Sequence, residues 1–196
     1  MAYIDTVPED EADGETAALY QQDRDDMGYV ANYTRAFSLR PEVLRAWQAL
    51  GGSVRRGMDQ RRYELTTLAA ARELRSSYCV LAHGKVTAEQ VMPAEQVRDV
   101  VVDHRSAGLD DVEVACMDLA TKVTADASTV TQADVDRLRE LGCSDTDVLD
   151  VILTAAARCF FSKVLDATGS LPDAAYRDLD PALRDVLTVG RPIAQP

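Results

Sequence analysis

Apolar residues recur at intervals of three and four along almost the whole chain, the period of one face of an α-helix. Between Pro41 and about Arg55 the stripe is Val43, Leu44, Trp47 and Leu50. Pro41 suits the first turn, where a missing N–H is no loss, and Gly51-Gly52 weakens the far end. Arg61 to Arg75 repeats the pattern with Leu65, Leu68, Ala69 and Arg72, and Tyr78 to Lys85 resumes it after Ser76-Ser77. Further on, Pro93-Ala94 opens a helix to about His104, and Asp110 to Val123 sets Val112, Ala115, Cys116, Leu119, Ala120 and Val123 on one face. Thr131 with Asp134 and Ser144 with Asp147 have the spacing of capping boxes, and the second opens a long helix to about Ala167, closed by Gly169. A more polar stretch, Glu15 to Met27, also reads as helix. Strand-like β-branched patterning is confined to short stretches such as Val100-Val101-Val102, so the pattern predicts an all-α protein.

One short repeat stands out. Leu68-Ala69-Ala70-Ala71-Arg72 resembles Thr154-Ala155-Ala156-Ala157-Arg158 at an offset of 86 residues, which also sets Glu64 over Asp150. Two related helical halves would give such a pattern, and so would any two alanine-rich helices.

Composition narrows the function classes. The chain has 196 residues, enough for a single domain burying about 70% of its extended-chain surface. With 33 acidic against 21 basic side chains its net charge is −12, which argues against nucleic acid as a partner. No apolar run approaches the roughly 18 residues of a membrane span, and the acidic start, Met1 to Glu15, lacks the form of a secretory leader. Four cysteines at this length are too few for a disulfide scaffold, so a reducing cytoplasm is the expected setting. Thiol or imidazole chemistry must then use Cys79, Cys116, Cys143, Cys159, His83 or His104.

Spacing selects among these six. Cys79 and His83 are four apart and share a helical face. A hydroxyl at Ser76 or Ser77 can cap the new helix, leaving Cys79 in a first turn whose free N–H groups favour thiolate. In one unbroken helix Glu64 would lie about 22 Å from Cys79. If the chain reverses near Arg75, Glu64 and His83 come to matching heights, and Glu64–His83–Cys79 becomes a carboxylate orienting an imidazole that serves a thiol. The plain alternative is a buried cysteine beside a packing histidine.

These residues resemble a known family. Glu64, the position 12 later, Cys79 and His83 follow the E-x11-C-x2-C-x3-H signature of the alkylhydroperoxidase D-like (AhpD-like) proteins of the carboxymuconolactone decarboxylase superfamily. Arg40-Pro41-Glu42, Arg62-Tyr63-Glu64-Leu65, Tyr78-Cys79, Ala107-Gly108-Leu109 and Phe160-Phe161-Ser162-Lys163 are similar to its peroxidase-related branch. The resemblance spans about residues 40–169 and implies one AhpD-like helical domain over 1–196, assembled as a homo-oligomer. It further implies reduction of a small-molecule hydroperoxide, with Cys79 attacking, Glu64 and His83 relaying protons, and no cofactor or metal.

The sequence departs from the signature at one position. Ser76 stands where the family has its resolving cysteine, so oxidised Cys79 needs Cys116, Cys143, Cys159 or an external thiol reductant. Tyr78 stands where some members carry a histidine. Cys116 and Cys159 fall on apolar stripes and are expected in the core, whereas Cys143, after Gly142, is the expected exposed thiol. His104 is expected in a structural role at a helix end. Any of the arginines Arg55 to Arg75 near the reversal would add to thiolate stabilisation. Two other functions fit the same residues: a carboxymuconolactone decarboxylase-like lyase using His83 and Glu64, or a non-catalytic redox-responsive protein.

Overall fold

Short polar side chains start several of the helices, and glycines or backbone turns stop them. The computed structural model of the chain describes residues 2–196, so Met1 of the acidic start lies outside the described residues. In chain order the helices are α1 (Gly14–Met27), α2 (Asn32–Ala36), α3 (Pro41–Gly57), α4 (Gln60–Glu73) and α5 (Ser77–Gln90). They continue as α6 (Ala94–Asp103), α7 (Asp111–Asp126), α8 (Gln132–Glu140), α9 (Asp145–Thr168) and α10 (Pro181–Leu187). No strand occurs among the described residues, as the periodicity predicted. Ser144 and Asp147 exchange the reciprocal hydrogen bonds of a capping box at the start of α9, and Gly169 closes that helix at φ 75°. Asp110 and Glu113 do the same for α7.

Helix α4 is the centre of the molecule and packs against α5, α7 and α9. Every residue from Tyr63 to Ala71 is buried, so this helix has no solvent face through its middle turns. That explains its content of Ala and Thr, whose small side chains let four helices approach closely. Outside the span of the resemblance, Leu19 and Tyr20 of α1 and Leu183 and Leu187 of α10 are also buried.

The chain does reverse near Arg75. Ser76 N–H donates to the Ala71 carbonyl at 3.0 Å and Arg75 N–H to Arg72 at 2.9 Å, the bonds of a Schellman helix end. Arg75 takes the left-handed conformation at φ 54°, a position that usually holds glycine. The C-terminal segment clamps this turn. Gly190 N–H donates to Ser77 Oγ at 2.7 Å, and a Cβ on Gly190 would lie 2.0 Å from the Arg75 carbonyl oxygen.

Several expectations change. Helix α5 runs to Gln90, past Lys85, and Gly84 within it is where α10 packs: a Cβ there would come 2.5 Å from Leu187. Helices α2 and α10 had no sequence signal long enough to announce them. Leu50, placed on the apolar stripe of α3, is exposed. Cys143 is buried, not exposed, whereas Cys159 is only half-buried and not in the core.

Candidate active site

Cys79 is the third residue of α5, in the turn whose backbone N–H groups lack helical acceptors. Packing of α5 under α9 leaves the residue 1% exposed. Its sulfur accepts hydrogen bonds from two side chains of α9, Ser162 Oγ at 3.1 Å and Arg158 Nη1 at 3.5 Å. Arg158 and Ser162 are four residues apart and so share one face of that helix. In the sequence, Ser162 stands out only within Phe160-Phe161-Ser162-Lys163 and Arg158 only as the end of an alanine repeat. The available signal was a single charged residue inside the otherwise uncharged run Val151–Phe161.

Glu64 and His83 meet across the reversal at the heights that antiparallel α4 and α5 require. His83 Nδ1 lies 2.7 Å from Glu64 Oε2, and Glu64 is 2% exposed. A carboxylate only accepts, so Nδ1 donates and the neutral ring keeps its acceptor at Nε2. Burial, then the charge of Arg158, holds the His83 imidazole below its ordinary range; the bond to Glu64 pulls the other way. Cys79 and His83 do not bond to each other directly. Among the described residues, the hydrogen bonds to the sulfur come from α9, and His83 reaches Cys79 only across the cavity both line.

That cavity has a volume of about 260 Å³. Besides Cys79, His83 and Arg158 its walls are mainly Tyr33, Trp47, Tyr78, Phe161 and Tyr176. The indole of Trp47 stacks on Phe161 with ring centroids 3.9 Å apart, and the Arg158 guanidinium lies 5.8 Å from the Trp47 ring. Tyr78 is fixed from behind: its hydroxyl donates to the buried Asp173 carboxylate and accepts from Tyr33 N–H at 3.2 Å. Burial raises the ionisation range of both Tyr78 and Asp173.

Two sequence expectations about this site fail. Ser76 is the residue before α5, fully buried, yet its hydroxyl has no hydrogen-bond partner and caps nothing; Ser77 Oγ is instead taken by Gly190. No arginine from Arg55 to Arg75 bonds the sulfur. Arg55 sits 5.9 Å from the Tyr63 ring, and Arg72 points outward to the Val102 carbonyl at 2.7 Å. The repeat partners Arg72 and Arg158 thus have opposite environments, one exposed and one buried. The remaining thiols are all free, and burial pushes Cys116 up to about 12, which makes it a poor nucleophile at neutral pH. His104 has the structural role expected, with Nε2 2.7 Å from Asp118. No group of three or more His, Cys, Asp or Glu among the described residues is placed to hold a metal ion, and no helix is long and apolar enough to cross a membrane.

Residues 41–122, from the start of α3 into α7, match the model of the carboxymuconolactone decarboxylase family. No curated protein matches the chain. A solved peroxidase-related protein from Ralstonia eutropha JMP134, described as an alkylhydroperoxidase AhpD core, superposes with TM-score 0.80 at 22% identity, covering 89% of this chain and 94% of its own. A peroxidase-related protein from Silicibacter sp. TM1040 gives TM-score 0.78 at 24% identity over 90% of this chain and 94% of its own. A debrominase gives 0.74 at 13% identity over 93% and 96%. At these identities the solved structures speak for the fold, and the family match speaks for the segment holding Glu64, Cys79 and His83. Residues 41–122 thus carry the carboxymuconolactone decarboxylase family pattern, and the chain as a whole has the AhpD-like fold.

Proposed function

We propose that the protein is a thiol-dependent hydroperoxidase working through a single cysteine. The observation that carries this reading is the Cys79 sulfur, held by Ser162 and Arg158 in a cavity it shares with the Glu64-bound His83. In the proposed cycle the Cys79 proton passes to His83 Nε2 and the sulfur attacks the terminal peroxide oxygen. The S–O bond forms as the O–O bond breaks, the sulfur giving up two electrons to become a sulfenic acid. His83 returns its proton to the departing alkoxide, which leaves as an alcohol, while Glu64 holds the ring in place. Two equivalents of an external thiol then restore Cys79, releasing water and a disulfide, because Ser76 cannot close an internal one.

The test is hydroperoxide consumption with a dithiol reductant, together with mass detection of oxidised Cys79. Consumption should vanish in Cys79→Ser; an unchanged rate in that variant would end the proposal. A lyase reading is weaker, since proton transfer by His83 and Glu64 alone would leave the bonds to the sulfur without a use. A redox-responsive protein without turnover is separated from the enzyme by stoichiometry: one equivalent of peroxide consumed, and no more.

A second enzymatic reading is favoured by the aromatic walls. The debrominase of similar fold is also solved in complex with 2,3,4-tribromopyrrole, at TM-score 0.75 and 12% identity. Removal of halogen from a small aromatic would use the same cysteine: the sulfur takes the halogen as the carbon–halogen bond breaks, the ring carbon takes a proton, and two equivalents of external thiol restore Cys79, releasing halide and a disulfide. Halide release that needs Cys79, without hydroperoxide turnover, would select it.

The reading includes self-association. Leu149, Leu153, Ala156 and Phe160 are all exposed on one face of α9, an uncharged stripe about 16 Å long. We assign this stripe to contact with a second copy of the chain.

A further inference from the structure

We infer that the cavity above Cys79 is a seat for an aromatic ring, so that the hydroperoxide it takes carries an aryl group, as a benzylic hydroperoxide does. The inference rests on the thiol-peroxidase reading for its chemistry, though the ring seat stands apart from it. The chain has three Phe, one Trp and seven Tyr, and five of these line this one cavity. Phe161 stacks on Trp47, and Tyr78 meets Tyr176 edge-on with centroids 6.2 Å apart. Walls of this kind favour a planar ligand by offset stacking and edge contacts.

Volume sets the size class. A dry apolar cavity of about 150 Å³ holds one benzene molecule. At about 260 Å³ this one has room for a single ring with a short substituent. A ring with a short peroxide-bearing substituent fits that space, with the Arg158 side chain in the wall to meet its oxygens. With that substrate the Cys79 sulfur takes the terminal oxygen, the O–O bond breaks, and the aryl-bearing alkoxide leaves as an alcohol with the proton from His83.

Trp47 is the single tryptophan and reports on the seat directly. In full-length Cys79→Ser protein, cumyl alcohol should change Trp47 emission saturably, while tert-butanol at equal concentration should not. In the unmodified protein, kcat/KM for cumene hydroperoxide should exceed that for tert-butyl hydroperoxide by about tenfold or more. Tyr176→Leu, at a half-buried position, should narrow that ratio. Equal kcat/KM values with no saturable emission change overturn the inference. Saturable aryl binding without hydroperoxide turnover keeps the ring seat and overturns the peroxidase reading. Turnover without aryl preference does the reverse.

Discussion

The Arg158 guanidinium lies 3.5 Å from Cys79 Sγ, and among the described residues it forms no ion pair with a carboxylate. At 4% exposure such a cation is desolvated, and contact with the Trp47 and Phe161 rings offsets only part of that cost. In the proposed cycle this cation is the countercharge available to the sulfur once Cys79 gives up its proton. Hydrogen bonds to charged groups contribute about 1.5–3 kcal/mol, and 1.4 kcal/mol is tenfold in rate or equilibrium. Arg158→Met should therefore slow reaction of Cys79 with a small thiol reagent at neutral pH by about tenfold or more. Arg158→Lys should recover part of the loss. Equal rates in the unmodified protein and Arg158→Met would remove Arg158 from the chemistry.

The His83 imidazole is held below its ordinary range near 6.5, chiefly by burial. It therefore stays neutral, and able to accept a proton, to lower pH than a free histidine. The acid limb of kcat/KM should lie below pH 6.5 and move further down in Glu64→Gln, because Glu64 is the group that raises the ring. The effect on stability has the same sign. Below 6.5 the unfolded chain binds the proton more readily, so this contribution is full above 6.5 and is lost as pH falls towards the lowered folded value. A limb above pH 6.5 would show that His83 is not the titrating base.

Gly190 packs against the turn that brings Glu64 and His83 together. In Gly190→Ala the new methyl group would sit 2.0 Å from the Arg75 carbonyl oxygen, and backbone cannot move aside as a flexible side chain can. We expect a loss of about 1–3 kcal/mol, read as a fall in Tm of about 2–4 °C per kcal/mol. Cys79 reactivity should fall with it. Gly51→Ala is the matched control: its Cβ meets nothing within 4 Å, and alanine in mid-helix should be neutral or stabilising. Equal melting behaviour of the two variants would mean the clamp is not tight.

Charge placed on the exposed face of α9 should disrupt self-association. Leu153→Asp and Phe160→Asp, at residues 39% and 44% exposed, should lower the mass measured by sedimentation while leaving helical circular dichroism intact. An unchanged mass would place any subunit contact elsewhere.

Much of the site was legible before any coordinates, and the limits of that reading have physical causes. Glu64 and His83 could be paired because both lie on helices joined by a short reversal, so counting residues from Arg75 fixes their heights. Cys79 could be placed in a first turn for the same local reason. The hydrogen-bond donors to its sulfur had no such local reason. His83, four residues away on α5, was the local candidate, whereas the bonds come from Arg158 and Ser162, which follow by 79 and 83 residues. Arg72 and Arg158 show the limit most sharply, since matching sequence surroundings place one in solvent and the other against the thiol.

By itself the sequence determined the longer helices, the capping boxes at Thr131 and Ser144, and the matching heights of Glu64 and His83 about a reversal near Arg75. Each of these depends on a repeat, a cap or a turn acting over a few residues. Tertiary structure alone decided that α9 lies over α5, that Arg158 is the buried cation, that five aromatic side chains enclose Cys79, and that Cys143 rather than Cys159 is buried. Those outcomes follow from which faces of distant helices meet when α4 is surrounded, and no local period records which face that is.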